Sequence, residues 1–160
     1  MPNRLIEVIT DKKQKSPIDT QLFIDCNVLL KDLTITINNN MSNDLKNEYG
    51  FTLIKTLKDI MTLFAKSYLF KDNAKKKEYI EIIYEKTIEI DIMMSIFESY
   101  KAIDKDNKLG ISEKKLIEIR KNIGKIESSF DKWRNSIYTK HNEELNGKKI
   151  EKLVNLYDGL

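Results

Sequence analysis

A seven-residue apolar repeat between residues 116 and 137 constrains the fold of this chain more than any other feature. Its members alternate at steps of three and four: Leu116, Ile119, Ile123, Ile126, Phe130, Trp133 and Ile137. This spacing places them on one face of an α-helix and is typical of helices that pack knobs-into-holes at shallow crossing angles. One helix cannot bury such a face alone, so the repeat predicts a left-handed helical bundle.

Three segments upstream of the repeat also have helical periodicity. The first begins at Asp19, and its apolar side chains recur at steps of four, three, four and four: Leu22, Cys26, Leu29, Leu33 and Ile37. The second begins between Ser42 and Phe51 and carries two adjacent apolar stripes, so we expect it to lie centrally and to face two neighbours. The third spans Glu78 to Tyr100, and its apolar coverage exceeds what one seam needs. Either it is deeply buried or part of its face is a subunit interface.

Turn and capping residues separate these segments. The run Asn38–Asn40 is the first clear break, and Ser42 is placed to cap the next helix. Gly110 permits a left-handed turn before the fourth helix, which Ser112 is placed to cap. The β-branched run Thr34–Ile37 would also suit a short strand, but no nearby segment could pair with it, so we favour a helix.

The chain divides into three parts. We expect residues 1–18, with Arg4, Lys12, Lys13 and Lys15, to form a flexible basic arm and residues 19–140 to form the four-helix bundle. Residues 141–160 form a C-terminal tail or a short extra helix after a break at Asn146-Gly147. Five glycines and two prolines agree with long helices, because sheets and irregular loops need more of both. We expect an all-α, antiparallel up-down four-helix bundle that assembles as a ring.

The sequence contains no recognisable catalytic group and no recognisable cofactor-binding site. One cysteine and one histidine cannot make a structural zinc site, and no glycine-rich phosphate loop is present. Cys26 is predicted to be a buried helical thiol and His141 a solvated surface side chain. The chain is therefore predicted to bind a partner and not to be an enzyme.

The sequence does not support either of two metal sites that its local patterns suggest. The segment Asp104–Lys115 begins like an EF-hand loop, but its fifth, sixth and twelfth positions hold Lys108, Leu109 and Lys115 in place of an oxygen ligand, a glycine and a glutamate. A di-iron bundle site needs two Glu-x-x-His pairs, and the chain has one histidine. The glutamates of the third helix (Glu78, Glu81, Glu85 and Glu89) therefore indicate a solvated or ion-paired face.

The sequence also predicts a cytoplasmic location. The first residues lack the apolar run and cleavage site of a secretory signal, and no stretch approaches the roughly 18 apolar residues of a membrane span. A single cysteine suits a reducing compartment. We expect no contact with a membrane.

Charge is unevenly distributed, although the totals of 28 basic and 25 acidic residues nearly balance. Residues 72–103 hold five basic and seven acidic side chains, whereas residues 104–140 hold ten basic and six acidic ones. Lysines 114, 121, 125 and 132 fall on the face of the fourth helix away from the apolar repeat, and two arginines are expected to flank them. The candidate nucleic-acid-binding residues are Lys114, Arg120, Lys121, Lys125, Lys132 and Arg134.

Two interpretations of this basic stripe remain open. A row of lysines on a rigid helix can neutralise successive phosphates of a nucleic acid and release their counterions. A solvated lysine face that keeps the protein soluble is the interpretation favoured for a monomer. In a ring of identical copies the fields add, and that favours binding of a polyanion.

Several local patterns resemble one known family. They are the stretches Ser16–Phe23, Tyr49–Leu53, Lys77–Ile80, Leu109–Ser112 and Ile123–Ile126, together with Trp133. The order of these features from residue 16 to residue 140 is similar to that of the accessory variability determinant proteins of diversity-generating retroelements and of the related ribosomal-RNA intervening-sequence proteins. The motifs are packing and turn patterns and contain no chemical signature. The arm before residue 16 and the tail after residue 140 are longer than in compact members.

This resemblance implies a homopentameric barrel of four-helix protomers with a basic surface. It implies binding of template RNA or cDNA and of a reverse transcriptase, in support of mutagenic reverse transcription, with no catalytic role for this subunit. The alternative from another class is a structural or regulatory module that binds a protein through the apolar face of the third helix and has no nucleic-acid role. An RNA-binding protein should lose RNA when its lysine stripe is reversed, and a protein-binding module should not.

Overall fold

The computed structural model describes residues 16–158, without the side chain of Asp19. All regular secondary structure in this region is helical. The basic-arm residues Arg4, Lys12, Lys13 and Lys15 lie outside the described part. The main helices are α1 (Gln21–Asn40), α2 (Phe51–Tyr68), α3 (Asn73–Ala102) and α4 (Glu113–Asp158). A 3₁₀ turn (Pro17–Asp19) precedes α1, and a helical turn (Asn43–Leu45) and a π-helical segment (Lys46–Gly50) lead into α2. The all-α prediction is confirmed, and Thr34–Ile37 is helical.

The predicted caps form. Ser42 Oγ accepts a hydrogen bond from the backbone N–H of Leu45 at 3.4 Å, and Ser112 Oγ accepts one from Lys115 at 3.1 Å. Each hydroxyl thereby satisfies an amide that has no partner within the first helical turn. Gly110 adopts the left-handed conformation expected of it, with φ 66°. The turn before α4 is therefore set by local sequence.

Two predicted boundaries are wrong by part of a turn or more. The run Asn38–Asn40 does not end α1, which includes Asn40. The third helix begins at Asn73 and not at Glu78, because the Asp72 carboxylate accepts a hydrogen bond from the Ala74 N–H at 3.0 Å and so caps the helix earlier. Apolar periodicity marks where a helix is buried, and the exposed first turn of α3 lies outside that pattern.

Each main helix packs against two others: α1 against α2 and α4, and α3 against α2 and α4. The prediction that the second helix faces two neighbours is confirmed, since both of its apolar stripes are buried. Every member of the α4 repeat is buried except Trp133, which is half-buried and packs edge-to-face on Phe64 at 4.8 Å. Burial of the apolar side chains of all four helices, at roughly 1.5–3 kcal/mol each, supplies most of the driving force for folding.

Helix α3 is not buried all round. Its core face carries Ile80, Ile83, Ile90, Met94 and Phe97, whereas several apolar side chains on its outer side are exposed. Of the two explanations for its wide apolar coverage, deep burial is wrong. The outer face of α3 remains open in this single chain.

The loop between α3 and α4 is organised by Asp104. Its two carboxylate oxygens accept hydrogen bonds from the backbone N–H groups of Lys108 (2.8 Å) and Leu109 (3.1 Å). The carboxylate that makes the segment look like a calcium loop therefore stabilises the turn. Among residues 16–158 no cluster of histidine, cysteine, aspartate and glutamate could hold a metal ion.

Helix α4 is longer than expected. The predicted break at Asn146-Gly147 and the separate short helix are wrong, because α4 continues without interruption to Asp158. A glycine costs a helix about 1 kcal/mol relative to alanine, and the surrounding Lys, Glu and Leu residues favour helix. The last core residue of α4 is Ile137, and residues 142–158 are exposed. None of the described helices is both long and apolar enough to cross a membrane.

Candidate nucleic-acid interface

The outer face of α4 carries a row of four exposed lysines, Lys114, Lys121, Lys125 and Lys132. They extend over about 27 Å of the helix and point away from the buried repeat. Within residues 16–158 the salt bridges use Lys86, Lys115 and Arg120, so none of the four is neutralised by a carboxylate there. Their charges are open to solvent and to an anionic ligand.

Arg120 does not flank this row. Its Nη1 donates to Asp91 Oδ1 at 3.0 Å, and its Nη2 donates to Glu98 Oε1 at 2.7 Å and to Ser95 Oγ at 3.2 Å. The two carboxylates of α3 thus neutralise the guanidinium and tie α3 to α4. Its place is in the seam between the helices.

Arg134 also lies on the α3 side of α4. Its guanidinium carbon is 4.7 Å from the ring centre of Tyr84 and 5.4 Å from that of Tyr138. A guanidinium that stacks on aromatic rings is held in place and keeps its charge and edge N–H groups. The structure therefore brings the four lysines together and separates both arginines from them.

Sequence reasoning missed a second basic surface where α2 ends and α3 begins. Lys75 lies over the Phe70 ring at 4.5 Å, and Lys77 lies over the Tyr138 ring at 5.2 Å. We call this surface the basic–aromatic end, and its members are Phe70, Lys75, Lys76, Lys77, Tyr84, Arg134 and Tyr138. The sequence does contain a pattern that indicates this surface, because the three consecutive lysines Lys75–Lys77 lie near aromatic residues. Summing charge over the acidic third helix concealed it.

The basic–aromatic end approaches the lysine row through Lys140. Burial lowers the pKa of Lys76, and the nearby charge of Lys140 lowers it further. Lys140 follows Lys132 by about 12 Å along α4. Sites for single-stranded nucleic acids have two components. Cations contact the phosphates, and aromatic rings stack on the bases.

A carboxyl group of unusual pKa lies in the α3–α4 seam. Burial raises the pKa of Glu127 to about 7, and a hydrogen bond to Asp91 and the charge of Asp91 raise it as well. Arg120 acts in the opposite direction. Glu127 therefore titrates near neutral pH within the group that joins the two helices.

The one cysteine and the one histidine of the chain are both at least partly buried. Cys26 is buried, and burial and the charge of Asp25 raise the pKa of its thiol to about 12. His141 was expected to be solvated but is half-buried, and its Nδ1 is buried without a hydrogen-bond partner among the described residues. The burial of Cys26 is confirmed and the full solvation of His141 is wrong.

Comparisons of the chain with protein-family models, with curated proteins and with solved structures found no match. The resemblance to the accessory variability determinant family therefore stays a prediction.

Proposed function

We propose that this protein is a non-catalytic, RNA-binding accessory subunit of a diversity-generating retroelement. In this function an up-down four-helix protomer assembles with identical copies, as a homopentamer in the form that the family resemblance implies. The assembly holds template RNA or cDNA beside the reverse transcriptase in the cytoplasm. The observation that carries the proposal is the row of exposed, unpaired lysines on α4.

The lysine row suits the backbone of a nucleic acid. Each lysine that neutralises a phosphate of a single strand releases counterions and contributes about −0.7 to the slope of log affinity against log salt. Four lysines on one copy therefore give a slope of about −3, which is weak binding at physiological salt. Several copies in one assembly would add their rows, and the basic–aromatic end adds rings on which unpaired bases can stack.

The test measures binding of a labelled single-stranded RNA over a series of salt concentrations. We expect the triple variant Lys121→Glu, Lys125→Glu and Lys132→Glu to bind at least about tenfold more weakly at low salt, with a slope shallower by about 2. The matched control reverses three exposed lysines of α2, Lys55, Lys58 and Lys66, with the same change in net charge. Equal losses in both triples would mean that RNA responds to total charge, and unchanged binding in the α4 triple would refute the proposal.

A second candidate function is favoured by the exposed apolar face of α3. In this alternative the chain is a structural or regulatory protein-protein module without a nucleic-acid role. It predicts that the unaltered protein shows no salt-dependent RNA binding and that the α4 triple variant retains every protein partner. Salt-dependent RNA binding is measured as above. Partner binding is measured by mixing purified reverse transcriptase with the unaltered protein or the α4 triple variant and analysing the mixture by size-exclusion chromatography.

A further inference from the structure

The outer face of α3 carries an open apolar groove. Four isoleucines, Ile88, Ile92, Ile96 and Ile103, line it together with Tyr100, and its volume is about 530 Å³. Ile92 is 55% exposed and Ile103 is 71% exposed. Ile88, Ile92 and Ile103 lie on the side of α3 opposite its core residues, and Tyr100 packs partly against the core. An apolar stripe of this length on a helix facing water is typical of an interface.

A second apolar surface lies on the end of α4 beyond the bundle, which we call the C-terminal extension (residues 145–158). Ile150, Leu153, Val154 and Tyr157 follow the helical spacing of one seam and are 52–75% exposed. The positions that would continue the buried repeat hold Lys140, Glu144, Gly147 and Glu151. The new seam is therefore rotated away from the core face and cannot extend the core.

The groove and the extension of one molecule cannot reach each other. Asn73 Nδ2 donates to Glu144 Oε1 at 2.7 Å, so the start of α3 lies beside Glu144. Further into α3, Asp91 and Glu98 contact Arg120, so α3 and α4 run in opposite directions along their contact. The extension continues along the α4 axis beyond Glu144, whereas the groove lies on the opposite side of Glu144 along the same axis. About 30 Å separates Ile150 from Ile88.

Charge and length match the two surfaces to one another. Glu85 and Glu89 lie at the N-terminal end of the groove, and Lys149 borders the apolar seam in the first half of the extension. The groove from residue 88 to residue 103 is about 22 Å long, and the extension is about 20 Å long. An amphipathic helix that carries Lys149 near its N-terminal end fits an apolar groove with an acidic N-terminal end.

We propose that the C-terminal extension of one copy packs into the α3 groove of a second copy, parallel to α3, with Lys149 beside Glu85 and Glu89. Each copy offers one extension and one groove, so the contact is heterologous and closes as a reciprocal pair or as a ring. This contact specifies how the copies in the proposed function associate. It rests on that proposed function only because it requires more than one copy.

Disulfide trapping between copies tests the contact in the full-length chain. One preparation carries Ile92→Cys and a second carries Val154→Cys, both at exposed positions. After mixing and mild oxidation we expect a disulfide-linked pair that neither preparation forms alone. The native Cys26 does not interfere, because it is buried and its thiol has a pKa of about 12. The matched control is Ile35→Cys on the outer face of α1, which is 61% exposed and should not link to Val154→Cys.

Linking of Val154→Cys to itself would overturn the proposal in favour of pairing between extensions, and no linking in the mixture would overturn it outright. Light scattering gives an independent result: Ile92→Glu and Leu153→Glu should each reduce the protein to the 18.8 kDa of one chain, whereas Ile35→Glu should keep the mass of the unaltered protein. RNA binding is measured separately on the same samples. Assembly of the unaltered protein without binding of a short RNA would overturn the RNA-binding proposal alone, and binding of the short RNA with an unchanged mass of Ile92→Glu and Leu153→Glu would overturn the proposed contact alone.

Discussion

Gly110 is the single residue on which the turn into α4 depends most. Its φ is 66°, and a Cβ at this position would lie 1.9 Å from the backbone oxygen of Asn40. We expect Gly110→Ala to lower the free energy of unfolding by at least about 1–3 kcal/mol, because the backbone conformation and the close approach both disfavour a side chain. Urea denaturation followed by circular dichroism measures the change.

Gly124→Ala is the matched control for that experiment. Gly124 lies within α4, and a Cβ there would meet nothing within 4 Å. Alanine at this position should stabilise the protein by about 0.5–1 kcal/mol through its better helix propensity. If both variants changed stability in the same direction, the assignment of Gly110 to a required left-handed turn would be wrong.

Glu127 makes stability depend on pH near neutrality. Its pKa is raised in the folded protein to about 7 from an ordinary value of 4.5. A raised pKa means that the folded state binds the proton more tightly, so the stabilisation is fully present below about pH 4.5 and is lost as pH rises through about 7. We expect the thermal midpoint to fall between about pH 5 and about pH 8, and to fall less in Glu127→Gln. An equal fall in both proteins would assign the pH dependence to other groups.

At the scale of the helix, neighbouring positions on α4 have separate roles. Arg120 joins α4 to α3 through Asp91 and Glu98, whereas Lys121 is exposed and has no such partner among residues 16–158. We expect Arg120→Met to lower the free energy of unfolding by about 1 kcal/mol and to leave RNA affinity unchanged, since these pairs are partly exposed to solvent. Lys121→Met should weaken RNA binding and leave stability unchanged. Denaturation and RNA titration of both variants provide a reciprocal control.

The helices that pack around the common core could be predicted from the sequence. Surfaces formed by side chains of two neighbouring helices could not. The α4 repeat and the Ser112 cap are local patterns, and both are confirmed. Asn146-Gly147 resembles a turn locally, but the helix on either side continues through it. The helical period already separates Arg120 from Lys121 by about 100° around α4, so Arg120 did not belong with the lysines. Only the fold shows which acidic residues of α3 it meets.

The missed basic–aromatic end has a different physical origin. Its lysines, Lys75–Lys77, and its arginine, Arg134, come from different helices, and of the lysines Lys77 shares a ring, that of Tyr138, with Arg134. Such a surface exists only after α3 and α4 have packed. A charge sum over one helix includes the glutamates on its outer face and therefore hides the cations at its end.

At the scale of the whole molecule, the two proposals act on different surfaces. The lysine row of α4 lies on one side of the seam that holds Arg120, and the isoleucines of the α3 groove lie on the other, although Asp91 and Ser95, which bind Arg120, border the groove. Ile92 lies in the groove and is exposed. Ile92→Glu therefore allows the number of copies in an assembly to be changed while the lysine row of each copy stays intact.

This separation predicts that assembly acts on RNA affinity through avidity. An RNA of about 8 nucleotides can contact one row, whereas one of about 40 nucleotides can contact rows on several copies, whose effective concentration is then high. We expect Ile92→Glu to leave affinity for the short RNA unchanged and to weaken binding of the long RNA by at least about tenfold. Titration of both RNAs at one salt concentration measures this, with Ile35→Glu as control. A loss for both lengths would mean that the groove itself contacts RNA, and no loss for either would mean that each copy binds RNA independently of the assembly.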